Sequence, residues 1–307
     1  IQIKQNMIHI IYDDQFLEHD NGYGHPERPE RLTSIINALK KLEPQQRFNW
    51  VKPRKATLDE LRWIHNDEHI QNVKSLSESG GGYADPDTYI SPASYETALL
   101  SAGAWLDAVD IVVNRREWAF VLSRPPGHHA ERDRAMGFCL FSNAALAAHY
   151  AVKQKLISRV AIFDWDVHHG NGTQHILEND SRFGYCSMHQ HPLYPGTGQS
   201  IETGKFNNVL NIPMPAGSDG SGYNHEFDQK VDPFIRNFDP DLFIISAGFD
   251  AARLDPLAGM NLESEDFADL LQKCKSIQDP LLIGLEGGYD LDVLSESIVK
   301  LVEVIDK

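Results

Sequence analysis

Apolar positions along the chain follow two alternating rhythms. Short, partly β-branched runs of four to six residues recur at 7–12, 119–122, 160–163, 183–188, 209–212, 242–246 and 281–285. Runs of this length predict strands buried on both faces. Between them the spacing turns helical. Leu32, Ile35, Ile36, Leu39 and Leu42 follow Pro29-Glu30-Arg31 and predict a helix. Further helices are predicted over 60–76, 94–113, 223–236, 264–276 and 291–305, and in the Ala-rich part of 136–150. The small residues of 94–113 suit close packing on a sheet. Segments 13–31 and 79–92, rich in Gly, Pro and charge, read as loops. Strands alternating with helices predict an α/β fold built on a mostly parallel, doubly wound sheet. No repeat, linker or low-complexity tract interrupts the pattern, so one domain is expected over 1–307.

Composition narrows the class. With 307 residues and 41% hydrophobic content there is ample material for one large core. No apolar run reaches the roughly 18 residues needed to span a bilayer, so no membrane partner is expected. No signal-peptide pattern opens the chain, and its first residue is Ile1 rather than Met, consistent with a natural start further upstream. Cys139, Cys186 and Cys274 lie far apart without a C-x-x-C, which argues against a disulfide scaffold or zinc ribbon and for a reducing, cytoplasmic setting. The net charge of −16, from 28 basic and 44 acidic residues, repels nucleic acid and favours cationic ligands. Solubility alone accounts for it equally well.

The chemistry concentrates where strands end. Val160-Ala161-Ile162-Phe163 is followed at once by Asp164, Asp166, His168 and His169, then Gly170 and Gly172. In extended chain, Asp164, Asp166 and His168 share one face just past the carboxyl end of a strand, the usual ligand-binding position in open α/β sheets. Three other strands end similarly, on Asp250, on Tyr289 behind Gly287-Gly288, and on the pair His128-His129. If the strands are parallel, all these ends meet on one rim. Asp166, His168 and Asp250 then offer three ligands to a divalent metal such as zinc, leaving positions open for water and substrate. A histidine free of metal can move protons, and a tyrosine hydroxyl can stabilise an oxyanion. The reaction class is metal-assisted amide hydrolysis.

Other histidines have blander readings. His19 and His25 lie in the early loop and could line a substrate rim, although surface histidines are commoner, and His65, His69, His149, His175 and His225 fall in expected helices. His189, His191 and Cys139 lie nearer the expected site but read as packing. Asp87, in the Gly-rich segment, is a weak candidate for gripping a substrate's backbone amides.

R-P-P-G-H-H-A, G-F-C-L-F, D-W-D-V-H-H-G-N-G-T-Q, Y-P-G-T-G, S-A-G-F-D and E-G-G-Y, in that order, resemble the zinc-dependent histone deacetylase and acetylpolyamine amidohydrolase family. The resemblance runs from Gly24-His25-Pro26-Glu27 to Tyr289 and is nearest to the class II branch and its bacterial relatives. It implies an arginase-like α/β domain with a mainly parallel, eight-stranded sheet. It makes Asp166, His168 and Asp250 ligands of one zinc ion and Tyr289 the oxyanion-stabilising residue. His128 and His129 become the tandem imidazoles, with His129 as general base and acid and Asp164 holding His128. Where some members pair the second histidine with Asp, this chain has Asn171, so a less basic His129 is expected. A potassium ion is implied near Asp164, Asp166, His168, Ser187 and Met188. Gly137, Phe138 and Tyr194 match the walls of a narrow acyl-lysine tunnel. Leu257 stands where the polyamine-specialised member has a glutamate, seven residues after the last zinc ligand.

The expected function is therefore removal of acetyl or other acyl groups from lysine ε-amines in proteins or peptides. Deacylation of acetylpolyamines or other small amines is the alternative. A catalytically silent acyl-lysine reader is opposed by the complete set of ligands, tandem histidines and tyrosine. An arginase-like hydrolase would need a two-metal manganese cluster, for which there are too few ligands.

Overall fold

The computed structural model describes residues 7–43, 48–153 and 157–306. In chain order its elements are β1 (Ile8–Ile11), α1 (Glu30–Leu42), β2 (Phe48–Val51), α2 (Leu58–Leu61), α3 (Asp67–Glu78), β3 (Gly82–Tyr83), β4 (Tyr89–Ile90) and α4 (Ser94–Asp110). There follow β5 (Trp118–Val121), α5 (Asn143–Lys153), β6 (Val160–Asp164), α6 (Asn171–Leu177), β7 (Phe183–Gln190) and β8 (Val209–Met214). The last third adds α7 (Gly220–Glu226), α8 (Asp232–Phe238), β9 (Leu242–Ala247), α9 (Ser264–Ile277), β10 (Leu282–Leu285) and α10 (Leu291–Asp306).

Eight strands form one sheet in the order β2-β1-β5-β10-β9-β6-β7-β8, and every pairing is parallel. All residues of β1, β5, β6, β7, β9 and β10 are buried, as the apolar runs predicted for a sheet covered on both faces. The helices pack in two groups, α4 with α5, and α1 and α9 with α10. The small residues of α4 serve close contact. A Cβ on Gly103 would lie 1.9 Å from the Arg54 carbonyl oxygen, so only glycine fits there. None of the helices among the described residues is long and apolar enough to cross a membrane.

Several features differ from the sequence expectation, among them the helix expected over 223–236, which divides into α7 and α8. β2 is an edge strand of Phe-Asn-Trp-Val with no fully buried residue, so it lacks the apolar run that marks the inner strands. The helix expected over 60–76 is two helices, because the Asn66 side chain accepts from His69 N and starts α3 afresh. The loop expected over 79–92 contains the small antiparallel hairpin β3–β4.

Parallel pairing fixes where the chemistry lies. Asp164, the last residue of β6, is register partner to Ser187 of β7 and Ser246 of β9, and Ser246 in turn to Gly284 of β10. The segments after β5, β6, β9 and β10 therefore leave the sheet on the same edge.

Candidate active site

At that edge the polar residues expected to converge do so. Asp166, His168 and Asp250 each offer one ligand atom, and these atoms lie within 4.8 Å of one another. His168 Nδ1 is 3.2 Å from Asp166 Oδ1 and 3.1 Å from Asp250 Oδ2. Both carboxylates are fully buried. Backbone N–H groups aim them: Gly287 N donates to Asp166 Oδ2 at 2.8 Å, and Val167 N donates to Asp250 Oδ1 at 2.9 Å. Burial works against a charged imidazole at His168, yet hydrogen bonding to the two carboxylates outweighs it and raises its pKa to about 10. Such a point attracts positive charge. Two carboxylates and one imidazole, buried and oriented by the backbone, are a donor set that fits zinc.

The tandem histidines sit beside it, with ring centroids 4.0 Å apart. His128 Nδ1 is 3.1 Å from Asp164 Oδ2, and Asp164 also accepts from Tyr185 Oη at 3.0 Å and from Asp166 N at 3.1 Å. Burial opposes a charge on His128, but Asp166 and Asp164 together overcome it and hold its pKa well above the usual range. His129 Nδ1 lies 2.8 Å from Asn171 Oδ1. Burial, with His128 and His168 adding to it, pushes the His129 pKa well below the usual range. The two imidazoles are thus driven apart in charge state, His128 towards the cation and His129 towards the neutral form.

A cavity of about 220 Å³ opens above these groups, lined by Asp87, His129, Gly137, Phe138, His168, Leu193, Tyr194, Leu257 and Tyr289. Tyr194 sets its ring edge-on to His129 at 5.1 Å, and Phe138 does the same to Tyr289 at 6.1 Å. Phe138 adopts φ 67, a left-handed conformation that costs a bulky residue about 1–2 kcal/mol. Its N–H donates to Thr88 Oγ1 at 3.0 Å, which ties this strained wall to the β3–β4 hairpin. At Gly137 a Cβ would come within 2.4 Å of the His129 ring, so the residue there must be glycine for the imidazole to keep its place.

The remaining expected residues are also nearby. Ser187 and Met188 are buried on β7 beside Asp164, and Ser187 Oγ is 2.8 Å from His189 Nδ1. His189 is consumed in packing, its Nε2 2.9 Å from the Gly198 carbonyl oxygen.

Several participants were not singled out from the sequence. Glu286 is fully buried and accepts from Gly127 N at 2.8 Å, His128 N at 3.2 Å and Ser246 Oγ at 3.0 Å, so it holds the tandem-histidine loop against the sheet. Burial pushes its pKa up to about 7, although His128 pulls the other way. Arg31 reaches back from α1 to donate to the carbonyls of Glu286 at 2.5 Å and Gly288 at 2.6 Å, and its guanidinium lies 5.0 Å from the Tyr289 ring centroid. Glu27 in turn binds both Arg31 and Arg124. Asp255 Oδ2 accepts from Tyr289 N at 2.7 Å. Asp87, a weak candidate from sequence, does line the cavity. The signal for Glu286 was its place directly after a buried apolar strand. Nothing local marked Arg31.

Comparison with known proteins identifies the family. The family model described as Histone deacetylase domain matches residues 25–305. An uncharacterized protein of Synechocystis is 48% identical over 300 residues, covering 97% of this chain and 99% of its own. A probable deacetylase of Archaeoglobus fulgidus is 36% identical over 294 residues, covering 92% of this chain and 81% of its own. The crystal structure of the HDA15 HD domain superposes with a TM-score of 0.93 at 36% identity, covering 98% of this chain and 89% of that one. The match to that domain spans the whole rim on which the histidines, carboxylates and tyrosine meet, and the chain belongs to the histone deacetylase family.

Proposed function

We propose that the protein is a zinc-dependent amidohydrolase that removes acetyl or other acyl groups from the ε-amine of lysine in peptides or proteins. The observation that carries this reading is the convergence of Asp166, His168 and Asp250 within 4.8 Å, with His168 lining a cavity that His129 and Tyr289 also line. These three residues would hold zinc, which would supply a Lewis acid to polarise the acyl carbonyl and lower the pKa of water. His129 takes the proton of the attacking water at Nε2 and returns it to the leaving amine. His128, hydrogen-bonded through Nδ1 to Asp164, adds positive charge beside the developing oxyanion. The Tyr289 hydroxyl donates a hydrogen bond to that oxyanion. Phe138, Tyr194, Leu193 and Leu257 exclude water from the lysine stem.

Asp164, Ser187 and Met188 are the proposed holders of a monovalent cation, potassium first, together with Asp166 and His168. Asp164 and Ser187 being register partners supports this. The three cysteines are free and buried, in keeping with a reducing, cytoplasmic setting. Acetylpolyamines are the secondary substrates to exclude, because no charged group stands at Leu257 to pair with a distant ammonium.

Metal content of the purified protein, measured beside turnover of a fluorogenic acetyl-lysine peptide, tests the reading. One zinc per chain and turnover are expected. Asp166→Ala, His168→Ala and Asp250→Ala should each abolish turnover and weaken zinc binding while leaving a folded protein. Near-normal zinc and turnover in two of these variants would overturn the ligand assignment. A zinc-loaded wild type without turnover would instead indicate a silent acyl-lysine reader.

A further inference from the structure

Asn171 is an amide whose two ends meet different chemistry. Its Nδ2 is 2.7 Å from Glu131 Oε1, 3.4 Å from Met136 Sδ and 3.5 Å from the His129 carbonyl oxygen. All three are acceptors. Turning the amide over would set its oxygen against the Glu131 carboxylate, acceptor against acceptor, and leave the Nδ2 donors facing a ring nitrogen. The carboxylate is itself anchored. Its Oε2 takes bonds from Arg134 Nη2 at 2.7 Å and Nε at 3.1 Å, and a backbone bond from Glu131 N to the Arg134 carbonyl closes the turn at 3.0 Å. With the amide held this way, Oδ1 points at His129 Nδ1, 2.8 Å away, and an oxygen there requires Nδ1 to carry the proton.

We propose that Glu131 is a positioning residue: its carboxylate sets the orientation of Asn171, which fixes His129 as the Nδ1–H tautomer and leaves the Nε2 lone pair to act as the base. The chain that runs His129, Asn171, Glu131 restores, one residue further out, the carboxylate that Asn171 does not provide. Glu131 is absent from the lining of the substrate cavity and faces a separate cavity of about 410 Å³ shared with Asn171, Gln174 and His175. Its effect on turnover therefore travels through Asn171 and not through contact with substrate. The catalytic part of this inference rests on His129 acting as the base, whereas the tautomer itself does not.

Two measurements test it on the zinc-loaded protein. In histidine-labelled ¹⁵N spectra, His129 of the wild type should show a protonated Nδ1, and Glu131→Ala should shift it towards a mixture of tautomers. In kinetics, Glu131→Ala should lower kcat on the order of 10-fold with KM nearly unchanged. Asn171→Asp alone should be impaired, because it sets two carboxylates against each other. Adding Glu131→Gln, whose amide can donate to the new carboxylate, should recover several-fold of the loss. A wild-type His129 protonated on Nε2, a tautomer indifferent to Glu131→Ala, or a double variant no better than Asn171→Asp would each overturn the proposal. A wild type that shows the expected tautomer yet cleaves no acyl-lysine peptide would sink the proposed function and leave the Glu131 assignment standing.

Discussion

His128 and His129 are chain neighbours with rings 4.0 Å apart, yet their Nδ1 atoms face opposite kinds of partner. His128 meets the buried carboxylate of Asp164 at 3.1 Å, and His129 meets the amide oxygen of Asn171 at 2.8 Å. A carboxylate stabilises the imidazolium, whereas an amide oxygen orients the ring without stabilising its charge comparably. One side chain is thereby suited to remain positive and the other to exchange a proton.

The division of labour predicts unequal losses. His129→Gln should lower kcat by roughly 100-fold or more, the scale of a lost general base. His128→Gln should cost less in proton transfer, because its role is electrostatic. Steady-state kinetics on an acetyl-lysine peptide decides the order. Equal or reversed losses would move the base to His128.

Tyr289→Phe should reduce kcat by roughly 100-fold or more, the scale of a lost oxyanion donor. KM should change much less, since the hydroxyl acts mainly in the transition state. Arg31 and Asp255 hold the backbone and ring of Tyr289 whether or not the hydroxyl is present, so this variant should stay folded. An unchanged kcat with a raised KM would make Tyr289 a ground-state contact instead.

Leu257 lines the cavity among Leu193, Phe138 and Tyr194, so a second ammonium there would lie unpaired against apolar surface. Acetyl-lysine peptides should be cleaved with higher kcat/KM than N-acetylated spermidine or putrescine. Leu257→Glu should shift that ratio towards the polyamine. A wild type that prefers acetylpolyamines would show that the distant ammonium is read elsewhere, with Asp87 as the cavity's remaining carboxylate to examine.

Acid should destabilise the fold through a histidine far from any catalytic role. His149 of α5 packs against Phe183, ring centroids 4.5 Å apart, and its Nε2 is buried without a hydrogen-bond partner. Burial lowers its pKa from 6.5 to about 4. Above 6.5 the folded and unfolded chains are both neutral there, so pH has no effect through this group. As pH falls from 6.5 towards 4, the unfolded chain binds a proton that the folded one resists, and stability drops by up to about 3 kcal/mol. His149→Phe should abolish that part of the slope. Urea unfolding at pH 7.5, 6 and 5 measures it, and parallel slopes for variant and wild type would refute it.

Much of this protein is legible in order along the chain. The runs that became β1, β5, β6, β7, β9 and β10 were visible because a strand covered on both faces must be apolar throughout. β2 escaped notice because an edge strand needs no such run. Asp166, His168, Asp250 and Tyr289 were legible because each follows such a strand within a few positions, and parallel pairing carries those ends to one rim.

What the sequence could not decide was which polar group answers which. Glu131 and Asn171 are 40 positions apart, and neither residue's neighbours mark the other. Arg31 reaches carbonyls 255 and 257 positions away. Apolar periodicity and strand-end chemistry are local, because they follow from the backbone's own repeat and from burial of the adjacent strand. A hydrogen bond between distant segments has no period and exists only once packing has brought donor and acceptor within about 3 Å. Sequence alone therefore determined the fold class and brought the strand-end residues of the candidate site into view. Only the tertiary structure decided that the amide of Asn171 has a carboxylate behind it, and so which nitrogen of His129 is left to take a proton.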